Sequence, residues 1–401
     1  MRVLVFDWTA GGHHHLYVER VAQALSRSVD VVIAVPEPSA RPLRQLPVEV
    51  ISLGDARPAL DPDRPLPVQH RELAESELDL MAEATVQAGA DHVLHLYADP
   101  LLRRLVRRPR LPAPTSVVLF FPRSHYPRAF GTPLGPAERA RATFQEALVA
   151  RFRLRADAGT VFTLDEVAAR RWSKVRGAPV VWFPEPPVAR LAARPWAQRE
   201  HSCVLYGALS PRKGADLLAE AVTLRPTALN IVLAGSVEPG YLTTLRELQH
   251  DLVRAGARVE LRARPHSERE GLDLMAASRC ALLPYRRHYG MSRVLLEAAS
   301  AATPVVAHRD GLLGHLVREY GLGRSVDCTD PQAFRAALME LVDEPAAAAA
   351  CSSGMQRFSV RYSAARFEAA VSSISAKRSV AAGRSATRRS SAPQAAGGTK
   401  R

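Results

Sequence analysis

Short runs of β-branched residues alternate along the chain with longer stretches whose apolar positions return every three or four residues. That alternation predicts repeated strand–helix units around a mostly parallel sheet, an α/β fold. The pattern occurs twice. In the first half, strands are expected at RVLVFDW (2–8), DVVIAV (30–35), VEVISL (48–53), HVLHLY (92–97), TSVVLFF (115–121) and GTVFTL (159–164), with helices such as Leu16 to Arg27 and Glu72 to Ala88 between them. In the second half the strands are SCVLYGA (202–208), NIVLAGS (230–236), RVELRA (258–263), CALLPY (280–285) and TPVVAHR (303–309). Helices are expected there at Ala215 to Val222, Tyr241 to Ala255, Arg269 to Ala277 and Ser292 to Ala301.

Between the halves runs APVVWFPEPPVARLAARPWAQRE, where five prolines from Pro179 to Pro195 should interrupt any regular element. The chain therefore divides into a first domain over 1–185, a proline-rich hinge over 186–200, a second domain over 201–357, a C-terminal helix over 358–375 and a tail over 376–401. Two parallel-sheet domains on one hinge imply a ligand in the cleft between them, because open α/β sheets bind at the carboxyl ends of their strands.

Length and composition agree with two cores. The chain has 401 residues, 47% of them hydrophobic, and single cores stop growing at roughly 250 to 300 residues. Four scattered cysteines, Cys203, Cys280, Cys328 and Cys351, give neither a disulfide framework nor a zinc spacing. The opening MRVLVFDWTAGG is expected to be a first core strand rather than a secretory leader, and no run of ~18 apolar residues suggests a membrane span. The expected location is the cytoplasm. The net charge of +14 is unevenly placed, since residues 376–401 hold seven Lys or Arg and no acid. Their Ser, Ala and Gly content cannot bury a core, so disorder is expected there. This basic surface suggests peripheral contact with the inner membrane face. Nucleic acid is not an expected partner: aromatic residues make up only 6% of the chain and no recognised motif occurs.

Two segments carry the candidate chemistry. In YRRHYGMSRVLLEAASAATPVVA (285–307), a strand ends, a loop carries Gly290 and Met291, and Ser292 stands as N-cap of a helix. Unpaired amides at a helix start favour an anion such as a diphosphate. Glu297 lies inside that helix among apolar neighbours, where its carboxylate needs a partner, and a ribose diol offers two hydroxyl donors. In SCVLYGALSPRKGADLLAEAV (202–222), Arg212 and Lys213 occupy the loop ahead of the next helix. A phosphate would satisfy both cations. In the first half, Gly11 and Gly12 follow the first strand and permit close backbone approach, without the GxGxxG spacing of a dinucleotide site. His13, His14 and His15 are consecutive, so a rigid helix would point them apart and they cannot chelate one metal. His13 is instead expected on the acceptor or sugar side of the cleft. His95, near the end of its strand, should point toward the ligand edge. Arg123 and His125 follow another strand end. Asp61 and Asp63 form an Asp-x-Asp with no strand leading into it, and no metal site or bound cofactor is expected.

The run GALSPRKGADLLAEA (207–221), followed by GMSRVLLEAASAATPVVA (290–307), resembles the family-four retaining glycosyltransferases, which have the GT-B fold of two Rossmann-like domains facing across a cleft. IVLAG (231–235), FTLDE (162–166) and the amino-terminal Gly-Gly loop extend the likeness. The resemblance implies a nucleoside-diphosphate-sugar as substrate and a glycan, lipid-linked or small-molecule hydroxyl as acceptor. It further implies Lys213 on the donor diphosphate and Glu297 on the ribose, with Gly207, Gly235, Gly290, Met291 and Ser292 lining the donor site and Arg212 and His95 at the reacting centre. The sequence departs from the family twice. Ala208 stands where an Arg is usual, with Arg212 as the candidate substitute, and Tyr289 replaces the first carboxylate of the Glu-x7-Glu motif. Those departures raise an alternative, a degenerate GT-B protein that binds nucleotide or glycan without catalysis.

Overall fold

The computed structural model of the protein describes residues 1–9, 14–61, 64–122, 126 and 130–374. Gly11, Gly12, His13, Asp63, Arg123, His125 and the tail from 376 onward, for which expectations were stated above, lie outside the described residues.

The first domain is built on β1 (Arg2–Phe6), β2 (Asp30–Val35), β3 (Glu49–Ser52), β4 (His92–His95), β5 (Thr115–Leu119), β6 (Ala158–Thr163) and β7 (Val180–Trp182). They form one seven-stranded parallel sheet in the order β3-β2-β1-β4-β5-β6-β7. The second domain contains β8 (Glu200–Tyr206), β9 (Asn230–Ala234), β10 (Arg258–Arg262), β11 (Ser278–Leu283), β12 (Val305–His308) and β13 (Gly323–Val326), ordered β10-β9-β8-β11-β12-β13. Both sheets wind outward from a central pair, β1 with β4 and β8 with β11. At such a switch point the following loops leave in opposite directions and open a crevice.

Nearly every central strand residue is buried, as a sheet covered by helices on both faces requires. One apolar cluster is continuous across the connector, running from Val3, Val5 and Phe162 through Phe183 to Val204, Leu283 and Phe367. Two expectations need correction. The proline-flanked run does form an element, β7, because three residues between Pro179 and Pro184 suffice to pair with the edge of β6. The single helix expected over 358–375 is two, Ser352–Arg361 and a helical run over 364–374, separated where Tyr362 leaves helical geometry at ψ 37°.

Candidate active site

The two motifs lie some 80 residues apart in sequence, and strand pairing unites them. β8 and β11 are neighbours with Val204 opposite Ala281 and Leu205 opposite Leu282, so the loops after Tyr206 and Leu283 emerge side by side. Gly207 follows β8 and Gly235 follows β9, and they stack backbone on backbone: at Gly235 (φ +143°) a Cβ would sit 1.7 Å from the Gly207 carbonyl oxygen. No other residue type fits there.

Lys213 ends the turn Pro211–Lys213 and is 5% exposed. Its Nζ donates to the Tyr206 carbonyl at 3.1 Å and to the Tyr285 hydroxyl at 2.7 Å, and it lies 4.1 Å from the centroid of the Tyr285 ring. Burial, reinforced by the neighbouring Arg212 charge, pushes the ammonium down to a pKa of about 7. Arg212 is more exposed and donates from Nη1 to His288 Nδ1 at 3.1 Å. A guanidinium only donates, so Nδ1 accepts and Nε2 carries the proton, which it gives to the Met291 carbonyl at 3.0 Å. Burial and the two cations hold His288 down to about 3, so the imidazole is neutral.

Ser292 is the N-cap of the helix Arg293–Ser300, in extended geometry, but its hydroxyl makes no capping bond. Of the first-turn amides of that helix, that of Leu295 donates to the Ser292 carbonyl at 3.0 Å, and those ahead of it have no carbonyl one helical turn back. Glu297 is 6% exposed. Its Oε1 lies 3.3 Å from Arg293 Nε, while Oε2 is buried with no hydrogen-bond partner among the described residues. Burial raises the carboxyl to about 6 against the opposing pull of Arg293. Met291 and Ser292 are buried as well. Gly290 permits a close approach of the first domain: a Cβ there would stand 3.1 Å from Phe121 Cδ1 and 3.3 Å from the Phe120 carbonyl oxygen. The second-domain site is therefore roofed by the segment that follows β5.

On the first-domain side, Asp7 follows β1, is buried, and accepts from the Thr9 amide and from His14 Nδ1, both at 2.8 Å. The rings of His14, Tyr97 and Phe120 pack together, with His14 and Tyr97 edge to face at 5.4 Å. His95 does not join them. It is 0% exposed, its Nδ1 accepts from the Tyr97 amide at 3.2 Å, and its Nε2 faces Glu77 Oε1 at 3.2 Å, while Glu77 is also held by Arg57. The expectation that His95 points to the ligand edge fails because β4 is buried on both faces, so side-chain alternation there separates two halves of the core and not core from cleft. Ala208 is exposed. Tyr289 packs its ring 6.0 Å from that of Tyr126, and its carbonyl accepts from the Leu312 amide at 2.8 Å.

Sequence reasoning did not find Tyr206, Tyr285, His288 or Arg293. Signals existed for two of these groups: both central strands run out in a tyrosine, and Arg293 precedes Glu297 by four residues, the spacing of facing positions on a helix.

Residues 200–344 match the family model of the glycosyl transferases group 1. The chain is 34% identical over 158 residues to the GDP-mannose-dependent alpha-(1-6)-phosphatidylinositol monomannoside mannosyltransferase of Mycolicibacterium smegmatis, covering 37% of this chain and 40% of that protein. It is 31% identical over 148 residues to the D-inositol 3-phosphate glycosyltransferase of Streptomyces coelicolor, covering 35% and 32%. The matches thus span less than half the length of either relative. Over the whole fold, the chain is similar to Anabaena HepE solved in complex with UDP and glucose, with a TM-score of 0.63 at 17% identity, covering 96% of this chain and 100% of that one. The two-domain architecture is that of the GT-B glycosyltransferases. No helix among the described residues is long and apolar enough to cross a membrane.

Proposed function

We propose that the protein transfers a sugar from a nucleoside-diphosphate-sugar to an acceptor hydroxyl, with retention at the anomeric carbon. The second domain would hold the donor and the first the acceptor. The observation that carries this reading is a pair of buried groups on adjoining strand–helix junctions: an ammonium at Lys213 hydrogen-bonded to a carbonyl and a phenol, and Glu297 Oε2 with no hydrogen-bond partner among the described residues. Burial without a charged or hydrogen-bonding counterpart is unfavourable for both. A nucleoside diphosphate answers both, its phosphates at Lys213 and Arg212 and its ribose hydroxyls at Glu297. The names of the relatives, with GDP-mannose in one and UDP in the solved neighbour, are consistent with that donor class.

As the glycosidic bond breaks, charge builds on the departing diphosphate and the sugar becomes oxocarbenium-like. Lys213, Arg212 and the amides near Gly290 to Ser292 would stabilise that charge without rearranging, which is the largest contribution such a site can make. His288 supports this by holding Arg212 toward the junction. The departing phosphate oxygen can take the acceptor's proton, so no separate base is required. The Asp7–His14 pair and the rings of Tyr97 and Phe120 line the first-domain side, where an acceptor would approach.

A panel of uridine, guanosine, adenosine and thymidine diphosphate sugars, assayed for released diphosphate, tests the reading. Lys213→Ala is expected to lower turnover by about 100-fold or more. Near-normal turnover in that variant would refute the role of Lys213. Tyr289, in place of a sugar-binding carboxylate, favours a second reading in which the protein binds a nucleotide without transfer. Affinity with no diphosphate released from any donor would decide for it.

A further inference from the structure

One buried charge in the site has no part in the transfer reading. The guanidinium of Arg293, on the first turn of its helix, is 9% exposed. A buried cation is costly unless its donors all find partners. Those of Arg293 do so in three directions. Nη1 donates to the Pro186 carbonyl at 3.1 Å, Nη2 donates to Glu268 Oε2 at 2.7 Å, and Nε faces Glu297 Oε1 at 3.3 Å. The partners belong to the connector between the domains, to the start of helix Glu268–Ala277, and to the next turn of its own helix. Next to Pro186, Glu185 is 3% exposed and accepts a hydrogen bond from the hydroxyl of Tyr17, on the first helix of the first domain. Burial raises the Glu185 carboxyl above its ordinary range, against the opposing pull of the Arg293 charge.

The arrangement decides which oxygen Glu297 offers. A rigid guanidinium fork fixed at two other points leaves its third edge in one place, and Oε1 is held against it. Oε2 is then the oxygen left for a ligand. We propose that Arg293 is a positioning residue for the donor nucleoside: it orients Glu297 toward the ribose hydroxyls and, through Pro186, ties that carboxylate to the interdomain connector. This rests on the donor-site reading above. A lysine could not substitute, because one ammonium on a flexible stem cannot hold three partners in a fixed plane.

The test compares uridine and guanosine diphosphates with their 2′,3′-dideoxy analogues by calorimetry. The unmodified protein is expected to prefer the ribonucleotide by about 10- to 100-fold, the size of hydrogen bonds to a charged group. Arg293→Lys should shrink that preference to about threefold or less while leaving affinity for the dideoxy analogue within about twofold. Glu297→Gln should do the same, and the double variant should add little, since both act on the same hydroxyls. Should Arg293→Lys fail to fold, Glu268→Gln loosens one anchor from a half-exposed position and is expected to shift the preference in the same direction. A folded Arg293→Lys or Glu268→Gln protein that keeps its full ribose preference, even with weaker binding overall, overturns the proposal. An unmodified protein that binds both analogues equally, or neither, overturns the donor-site reading instead.

Discussion

A lysine almost wholly out of water must find anionic partners or lose its proton easily, and Lys213 finds only a carbonyl and a phenol. Its pKa near 7, against an ordinary 10.5, measures that deficit. Between these two values the unfolded chain binds a proton that the folded protein does not, so folding stability rises with pH across the window and the penalty is full at and below about pH 7. At pH 7 the shift corresponds to a cost on the order of 4 kcal/mol. Lys213→Met, similar in volume and without charge, is therefore expected to melt at a higher temperature than the parent. Thermal melts over pH 6 to 10 check this: the gap should be widest near pH 7 or below and close toward pH 10. A variant that melts lower at pH 7 would show that Lys213 is a structural group and not one held ready for an anion.

The strand–loop–helix junctions depend on backbone contacts that a side chain would destroy. Gly235→Ala is expected to lower the melting temperature sharply, by several kcal/mol of stability, because its Cβ meets the Gly207 carbonyl oxygen at 1.7 Å and the backbone has nowhere to go. Gly240→Ala makes the comparison. Its φ is also positive, at +80°, but nothing lies within 4 Å, so only the conformational penalty of about 1 kcal/mol remains. Equal melting of the two variants would contradict the stacking. At this scale much was legible in the sequence. The expected central strands and most of the expected helices fall within a few residues of their bounds, since a parallel sheet buried on both faces writes continuous apolar runs between amphipathic ones. The helix expected from Glu72 begins at Leu66, and the helices Gly311–Tyr320 and Pro331–Asp343 are not among those expected. The strands that escaped, β7 and β13, are edge strands of three and four residues, half-buried, one flanked by prolines and the other carrying Arg324 and Ser325. The junction pattern singled out Lys213 and Glu297, which the structure buries on adjoining junctions. It misled for His95, because alternation records two faces without saying what covers each, and Glu77, from the helix Leu66–Gln87 just before that strand, covers that one.

Across the whole molecule the two domains meet along two unlike boundaries. On one, the chain returns after β13 so that Tyr362 and Phe367 pack against Trp182 and Phe183 at 5.4 Å each, with Arg361 over Trp182 and paired to Glu166, and Arg27 paired to Glu368 at 2.7 Å. Phe367 is 2% exposed and belongs to the apolar cluster that both domains share. On the other boundary the contacts are lighter. Phe121 meets His288 edge-on at 6.4 Å, Phe130 stacks on His315 at 4.6 Å, and the Gly311 amide donates to Thr132 Oγ1 at 2.8 Å. If a nucleotide donor binds as proposed, the burial of Lys213 and Glu297 requires an opening, and the light boundary is the one expected to part while the apolar one holds. Substitutions on the two sides should therefore act differently. Phe130→Ala combined with Thr132→Ala should enlarge the radius of gyration in small-angle scattering and speed nucleotide association, with the melting temperature nearly unchanged. Phe367→Ala should cost about 3–5 kcal/mol, as large core truncations do, and lower the melting temperature by several degrees. If the double variant leaves the radius of gyration and the association rate as they were, or if Phe367→Ala melts like the parent, then the hinge does not lie beside the connector and the lobes do not open at the Gly290 side.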